Sequence, residues 1–421
     1  MGFFSYTHDH LRLFRHVLVH PSQEMRDPDG AFFRGGPEWP RFGAQVLARH
    51  CRGWVPRPVD LRPLPALPEW PYFAPEVLPV FWPQLGIDPQ LPTPERRRAT
   101  ARLADALAPL PAQTTQTVDA GLWCGPINLH FGHMISDFGM RIAGSNRFDD
   151  EMPLVFSLPP FRNVEPPPHF WGMLDHLGVD RRRVLLVRKP TRFDRLYVVP
   201  QAERPYGGGP HPRHLRLLDA TPGAPGATDA DVDVVFVSRA RLADGRFAGE
   251  SHIDETLAAT GVTVFHPETT DLAAQLLLYR RARVLIFSEG SALHALQLLG
   301  HVAADLIVLV RRPGSRLAAA SLRPRVRSLQ YLPAARGLIH GMSPSGHPIR
   351  RAGISILDEA PFLAGLGAAG INLAKHWDSE AHARRRDADI AAWAAQRQTA
   401  GRHPGDQALV ERGLRALSLP V

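Results

Sequence analysis

The fold is decided by the stretch Val232-Asp233-Val234-Val235-Phe236-Val237 and by three apolar runs that follow it, at 262–265, 284–287 and 306–310. Each run is short and rich in Val, Ile and Leu, which is typical of strands buried on both faces of a parallel sheet. Helices are predicted between them, over 251–260, 270–282 and 291–299. This alternation predicts a doubly wound α/β domain, in which ligands bind beyond the carboxyl ends of the strands.

A weaker form of the same alternation precedes this domain. Apolar runs at 115–123, 154–158, 184–187 and 196–199 alternate with helical patterns that begin near Phe131 and cover 169–177. We therefore expect a second α/β domain with helices layered on a sheet. Between the two domains, residues 202–230 are rich in Gly and Pro, which predicts turns and a linker.

The two ends of the chain have different compositions. Prolines recur every few residues from Pro21 to Pro94, which excludes long helices and central strands there and predicts an extended segment packed on the first domain. A helix is expected over 95–108, and the Ala-rich tail 358–419 predicts helices that pack back across the domains. The predicted parts are an N-terminal extension (1–94), a first α/β domain (95–215), a second α/β domain (231–335) and a C-terminal helical segment (336–421).

Length and composition agree with two globular domains. The chain has 421 residues, 44% hydrophobic and 21% charged, and single cores stop growing at about 250–300 residues. The net charge of +8 does not indicate nucleic acid, because only two of the 49 basic residues are lysines and the arginines accompany 41 Pro and 35 Gly, a compositional bias. The triple-arginine runs 96–98, 181–183 and 384–386 are interpreted as solvated surface.

The expected compartment is the cytoplasm. Two cysteines, Cys51 and Cys124, cannot build a disulfide framework, which favours a reducing environment. The N-terminus has no apolar signal-peptide region, and no apolar run approaches the roughly 20 residues that cross a bilayer. A membrane-bound acceptor could still be handled at the protein surface.

A first candidate site lies at the carboxyl end of the strand 284–287. Gly290 and Ser291 follow it and open a helix, where free N–H groups favour an anion such as a diphosphate. A tight turn alone would also explain the glycine. Glu289 and His294 add two ionisable side chains, which are costly there unless they meet solvent or ligand. Arg239, at the end of the strand 232–237, offers a planar fork for phosphate oxygens, although a solvated strand end explains it equally well.

A second candidate site lies in the segment 128–141, which contains Asn128, His130, His133, Asp137 and Arg141. On a helix the last three are spaced i, i+4 and i+8 and project from one face. A histidine beside a carboxylate suits a general base. Two other interpretations stay open: an ordinary Asp137–Arg141 pair on a surface helix, and a metal ion held by His130, His133 and Asp137, which no third histidine or His-Glu-x-x-His pattern supports.

In order and spacing these motifs resemble glycosyltransferase family 61, over about residues 119–312. The family includes bacterial capsular-polysaccharide enzymes and eukaryotic O-linked N-acetylglucosaminyl- and xylosyltransferases. The resemblance rests on 128–141, on the Val-Ser-Arg strand end at Arg239, on Pro267-Glu268 and on 288–294. Glu289 stands where the family has histidine, and Leu293-His294 replaces its Thr-Asn, which bears on the identity of the sugar.

The resemblance implies two Rossmann-like domains facing a cleft, the GT-B arrangement, with inverting, metal-independent transfer from a nucleotide sugar to a glycan or polysaccharide acceptor and no cofactor. It implies a donor site in 231–335 and an acceptor side in 95–215. The implied catalytic residues are His133 and Asp137. The implied substrate-binding residues are Asn128, His130, Arg141, Arg239, His266, Glu268, Glu289, Gly290, Ser291 and His294.

Two hypotheses from other classes remain. A non-catalytic carbohydrate- or nucleotide-binding protein on the same scaffold is suggested by the substituted Glu289 and His294, and it would bind without sugar transfer. A metal-dependent hydrolase using His130, His133 and Asp137 would carry stoichiometric metal when purified.

Overall fold

A computed structural model describes residues 12–27, 30–37, 46–49, 116–158, 165–199, 202–203, 209–221, 232–342, 348–397 and 404–419. The predicted helix over 95–108 and most of the proline-rich segment lie outside these residues. The chain divides into two compact units, Met1–Ala224 (unit 1) and Pro225–Val421 (unit 2), each described here by itself. No helix in the described part combines the length and the apolar character that crossing a membrane requires.

Unit 1 contains a seven-stranded mixed sheet in the order β3-β2-β1-β7-β4-β5-β6. Strand β4 lies parallel to β7 and β5, whereas β1, β2 and β3 form an antiparallel edge. Buried Trp123, Val155 and Phe193 pack at the centre of one face. The strands are β1 (Arg12–Asp27), β2 (Gly30–Pro37), β3 (Val46–Arg49), β4 (Gln116–Pro126), β5 (Leu154–Ser157), β6 (Val184–Val187) and β7 (Thr191–Val198).

Strand β1 shows that the expectation of no central strand in the proline-rich segment was wrong. It lies between β2 and β7 and runs through Pro21. The pairing with β7 ends at Val19, and the register with β2 shifts between His20 and Gln23. Because a proline has no N–H for a sheet hydrogen bond, it is tolerated at such an irregularity.

The helices of unit 1 include one inside the segment predicted to be a turn-rich linker. Helix α3 begins where His211 Nδ1 accepts the N–H of Arg213 (3.1 Å), has Pro212 in its first turn, and buries Leu215 and Leu218. This helix was not predicted, because the glycines and prolines around it indicate turns, although its capping residue and its apolar spacing favour a helix. The helical segments are an α-turn (Phe131–His133), a π-helix (Met134–Gly139), α1 (Ile142–Phe148), α2 (Pro168–His176), a 3₁₀ turn (Arg181–Arg183) and α3 (Pro212–Asp219).

Unit 2 confirms the predicted parallel α/β sheet. Its five strands have the order β12-β11-β10-β8-β9, and every adjacent pair is parallel. Strand β8 has the predicted bounds, and β12 is an additional strand that was not predicted. The elements are β8 (Val232–Val237), α4 (Glu250–Ala259), β9 (Thr263–Phe265), a 3₁₀ turn (Pro267–Thr269), α5 (Leu272–Arg281), β10 (Ala282–Ser288), a 3₁₀-helix (Ser291–Leu298), β11 (Val302–Val310), α6 (Ala319–Leu322) and β12 (Val326–Pro333).

The C-terminal part of unit 2 adds a two-stranded sheet and three helices. Helix α8 contacts α4 and β14, and α9 contacts β13. The C-terminal helices therefore pack on elements of unit 2. Asp389 of α8 accepts hydrogen bonds from Arg246 Nη1 (2.5 Å) and the Gly249 N–H (2.7 Å), which fixes the start of α4. The elements are β13 (Ala335–Ile339), a 3₁₀ turn (Arg350–Ala352), β14 (Ile354–Leu357), α7 (Glu359–Ala368), α8 (Ser379–Arg397) and α9 (Asp406–Ala416).

Ion pairs link neighbouring strands near the amino ends of the parallel sheet. Asp233 of β8 accepts from Arg283 Nε of β10 at 2.5 Å, and Asp305 of β11 accepts from Arg327 Nε of β12 at 2.9 Å. These charges are paired across strands at an exposed surface. The opposite edge, at the carboxyl ends, carries the buried charged residues described next.

Candidate functional site

Charged residues follow three adjacent strands of unit 2 at their carboxyl ends. Arg239 lies just beyond β8, Glu289 just beyond β10, and Arg311 and Arg312 just beyond β11. The strands are neighbours in the order β11-β10-β8, so these residues meet at one edge of the sheet. The two arginines after β11 were not predicted as site residues, although they end a buried strand just as Arg239 does.

Glu250 holds the chain between β8 and α4. Its fully buried carboxylate accepts the backbone N–H of Arg239 through Oε1 (2.8 Å) and that of Phe247 through Oε2 (2.9 Å). Burial raises the pKa of Glu250, and the two backbone N–H groups and the Arg239 charge act against that rise. Glu250 therefore fixes the backbone from which the Arg239 side chain projects.

Arg239 presents part of its guanidinium without a protein partner. Its Nε donates to the Gly245 carbonyl oxygen at 2.6 Å. Among the residues that the structure describes, neither Nη1 nor Nη2 donates to a protein oxygen, and the side chain is partly exposed. Burial lowers the pKa of Arg239, opposed mainly by Glu250 and Asp244. Two guanidinium nitrogens are thus available to an anion.

Gly290 makes room for that guanidinium. A Cβ atom at this position would lie 2.1 Å from Nη1 and 2.7 Å from Cζ of Arg239. The Gly290 φ of 178° is extended backbone that any residue adopts, so the glycine is needed for space. Ser291 begins the following helix and is partly exposed, but the helix is 3₁₀ rather than the expected α-helix.

Glu289 is enclosed by donors from the loop after β11. Its Oε2 accepts the backbone N–H groups of Arg311 and Arg312 (both 3.1 Å), and its Oε1 accepts Arg312 Nε (2.9 Å) and Nη2 and the Ser315 hydroxyl. Its side chain has no exposed surface. The buried carboxylate is therefore paired with a cation and with backbone donors, as such groups must be.

His266, Glu268 and His294 lie around the same sheet. His266 Nε2 is 3.4 Å from Asp254 Oδ2, and its Nδ1 is 3.8 Å from Glu268 Oε1. Burial raises the pKa of Asp254 to about 7 and lowers the pKa of His266. His294 is partly exposed, and its Nδ1 contacts Gln297 Oε1 at 2.7 Å. Asp254 was not predicted, because nothing in its local sequence shows that it reaches His266.

In unit 1, the predicted base and its neighbours follow β4. Asn128 is buried, and its Oδ1 accepts the His130 N–H at 2.8 Å. The rings of His130 and His133 are 4.5 Å apart, and His133 is partly exposed. His169 of α2 lies 5.6 Å from the Phe131 ring, and burial lowers its pKa. His169 was missed because it is far from this motif in sequence.

The segment 131–148 does not present one face as predicted. The α-turn continues into a π-helix, whose wider turn removes the i, i+4 alignment. Arg141 is buried, and its Nη1 donates to the Val199 carbonyl oxygen at 3.2 Å, whereas His133 is partly exposed. The Asp137 side chain lies outside the described part of the chain. His133 and Arg141 therefore do not share one exposed surface.

The metal interpretation gains nothing from the described residues. No group of three or more His, Cys, Asp or Glu side chains within the described ranges is arranged to hold a metal ion. The structure thus brings together two sets of predicted residues. Unit 2 holds Arg239, His266, Glu268, Glu289, Gly290, Ser291 and His294, and unit 1 holds Asn128, His130, His133 and Arg141.

Comparison with known families agrees with the motif reading. Residues 131–300 match the family model described as Glycosyltransferase 61. Among curated proteins, no significant match is found. The matched region runs from the helical turn that carries His133 to the end of the helix after Gly290. On this match, the region 131–300 is similar to glycosyltransferase family 61.

Proposed function

We propose that this protein is an inverting, metal-independent glycosyltransferase. It would move a sugar from a nucleotide-diphosphate donor to a hydroxyl of a glycan or polysaccharide acceptor, in the synthesis of a surface or capsular polysaccharide. The match of residues 131–300 to this family supports glycosyl transfer as the activity. The donor class, the stereochemistry and the acceptor are our inference from the residues of each unit.

One observation carries the donor assignment: at the carboxyl edge of a parallel sheet, the terminal nitrogens of Arg239 have no hydrogen-bond partner among the residues that the structure describes. Glycosyl transfer releases a diphosphate, whose charge must be stabilised as the sugar bond breaks. A guanidinium fixed by Gly245 and by the packing of Gly290 provides oriented donors without reorganisation. The backbone N–H groups of Gly290 and Ser291 would contribute further donors.

For the acceptor, we assign His133 as the base. Inversion requires a group that removes a proton from the attacking hydroxyl on the face opposite the leaving group. His133 is partly exposed and lies against His130, so its ring can meet a ligand. Asp137 stays our candidate for the carboxylate that orients it. His266 and Glu268 are assigned to the nucleoside, and His294 to the sugar or diphosphate.

Isothermal titration with a panel of nucleoside diphosphates, with and without a chelator, tests the donor assignment. Binding that survives chelation is expected for at least one nucleotide. If none of them binds, the proposal is wrong, and if binding strictly requires a divalent ion, the metal-independent version is wrong.

A matched pair of variants tests the base. His133→Ala is expected to abolish sugar transfer and leave nucleotide affinity nearly unchanged, because the base acts only on the acceptor. The control is His376→Ala, which removes an exposed histidine of unit 2 and is expected to keep full activity. Normal transfer by His133→Ala would remove His133 from this role. Saturable nucleotide binding without any transfer by the wild-type protein would favour a non-catalytic binding protein.

A further inference from the structure

We propose that Arg312 is a second ligand of the donor diphosphate, and that Glu289 is the positioning residue that orients it. This inference rests on the proposed function and adds two residues with distinct roles to the donor site. It assigns Glu289 an indirect role, in place of direct contact with the sugar or diphosphate.

The guanidinium of Arg312 is oriented by hydrogen bonds along one of its edges. Its Nε (2.9 Å) and Nη2 both donate to Glu289 Oε1. Its third nitrogen, Nη1, has no hydrogen-bond partner in the described part of the chain, and 31% of the side chain is exposed. One edge of the fork is therefore held by the protein while the other reaches solvent. That open edge is the part of Arg312 that can meet a phosphate.

Glu289 fixes this orientation strongly. Its side chain is fully buried, and its Oε2 also accepts the Arg312 backbone N–H at 3.1 Å. The same carboxylate thus holds both the backbone and the side chain of Arg312. Because a buried carboxylate is costly without a cation, Glu289 and Arg312 are expected to depend on each other. Histidine, the residue of the family motif at this position, could not offer two oxygens to these donors.

Arg312 and Arg239 belong to one cluster of positive charge. The charge of Arg312 contributes to lowering the pKa of Arg239, and both Arg239 and Arg312 contribute to lowering that of Arg311, after burial. Arg311 is buried and donates through Nε to the Glu289 carbonyl oxygen (2.9 Å). Of these three guanidiniums, within the described part of the chain, only that of Arg312 donates to a carboxylate, whereas those of Arg239 and Arg311 donate to backbone carbonyl oxygens, so their positive charges repel one another at this edge. An anion with two charged groups relieves that repulsion better than an anion with one.

A diphosphate satisfies this requirement, and a monophosphate does so only in part. We assign one phosphate to Arg239 and the other to Arg312. Fixed cations on both phosphates would also supply the charge stabilisation that a divalent ion gives in metal-dependent enzymes.

The test compares the affinities for a nucleoside diphosphate and for the matching monophosphate by isothermal titration, using a nucleotide that binds the wild-type protein. Arg312→Ala is expected to weaken diphosphate binding about 10- to 100-fold, the range for one charge-assisted hydrogen bond. Monophosphate binding is expected to change less than about threefold. The control is Arg327→Ala, which removes an arginine held in the same way by Asp305 near the opposite ends of the strands.

Two further variants keep the test decisive if Arg312→Ala destabilises the protein. Arg312→Lys retains a cation beside Glu289 but cannot span both Glu289 and a phosphate, so the same selective loss is expected with a near-normal melting temperature. Glu289→Gln keeps an oxygen for the backbone donors but loses the charge that holds the guanidinium. It is expected to reduce diphosphate affinity about 3- to 10-fold and to spare monophosphate affinity.

Equal losses for both nucleotides, or no loss in the folded Arg312→Lys variant, would overturn the assignment. If the wild-type protein binds nucleoside diphosphates and Arg239→Ala abolishes that binding, such a result refutes only the role of Arg312. If the wild-type protein binds no nucleotide, the proposed function fails and this inference fails with it.

Discussion

Gly290→Ala is predicted to weaken donor binding without unfolding the protein. The added methyl group would lie 2.1 Å from Nη1, 2.7 Å from Cζ and 3.0 Å from Nε of Arg239. All three atoms belong to the flexible end of one side chain, so the guanidinium can move aside. The extended backbone at residue 290, with φ 178°, accepts alanine without strain.

The expected loss of folding stability is smaller than the expected loss of donor affinity. Displacing Arg239 breaks the hydrogen bond from Nε to the Gly245 carbonyl oxygen, which costs about 1 kcal/mol of folding stability. If both terminal nitrogens of Arg239 bind the diphosphate, their loss removes two charge-assisted hydrogen bonds, nominally about 1.5–3 kcal/mol each. Because such terms do not add fully and the displaced side chain keeps some contact, we expect a loss near 3 kcal/mol. That corresponds to a Kd about 100-fold weaker.

Isothermal titration with a nucleoside diphosphate measures the affinity, and urea denaturation measures the stability. Gly367→Ala is the matched control, because Gly367 lies in helix α7 and, among the described residues, no neighbouring atom comes within 4 Å of an added Cβ. It should leave nucleotide affinity unchanged and stabilise the fold by about 0.5–1 kcal/mol. Wild-type affinity in Gly290→Ala, with Arg239→Ala inactive in binding, would refute the argument that Gly290 sets the position of Arg239.

Three other properties follow from buried groups. Glu250→Ala should lower the free energy of unfolding, measured by urea denaturation, by about 2–5 kcal/mol, because two backbone N–H groups lose their acceptor. Glu250→Gln should lower it less. Equal stability of the wild type and both variants would contradict this role of Glu250. Burial raises the folded-state pKa of Asp254 from its ordinary 3.8 to about 7, which means that the folded state binds the proton more tightly. The stability of the wild type relative to Asp254→Asn should therefore fall, by at most about 4 kcal/mol, as the pH rises from about 4 to 7, and a pH-independent difference would contradict it. Burial raises the pKa of Cys124 to about 12, so peptide mapping after native alkylation should find Cys124 unmodified, and rapid labelling would show that its surroundings open.

Much of unit 2 could be predicted from local sequence. The bounds of β8 were confirmed, because four valines in six residues favour a strand and the run is too short for a helix. Strands β12 and β13 were not predicted, since they mix arginines with apolar residues and carry no clear period. In unit 1, the central strand β1 was excluded on composition alone, although the sheet places Pro21 at a register shift.

The sequence predicted which residues lie at the candidate site better than it predicted which of them contact each other. That Arg239 and Gly290 lie at the carboxyl edge follows from the strand pattern. The close packing of Gly290 on the Arg239 guanidinium does not, because these residues are far apart in the chain and meet only when β8 and β10 pair. The enclosure of Glu289 depends similarly on the loop after β11. The π-helix after His133 was not predicted, because the sequence of this segment has no apolar periodicity that distinguishes a π-helix from an α-helix.

Sugar transfer in the absence of metal is the most direct test of the proposed activity. The measurement is the release of nucleoside diphosphate from a panel of nucleotide sugars, with a chelator present and with glycan acceptors supplied, for the wild-type protein and Arg239→Ala. Release is predicted from at least one donor with the wild type, and its near-complete loss with the variant. No release from any donor, or release that strictly requires a divalent ion, would contradict a metal-independent glycosyltransferase.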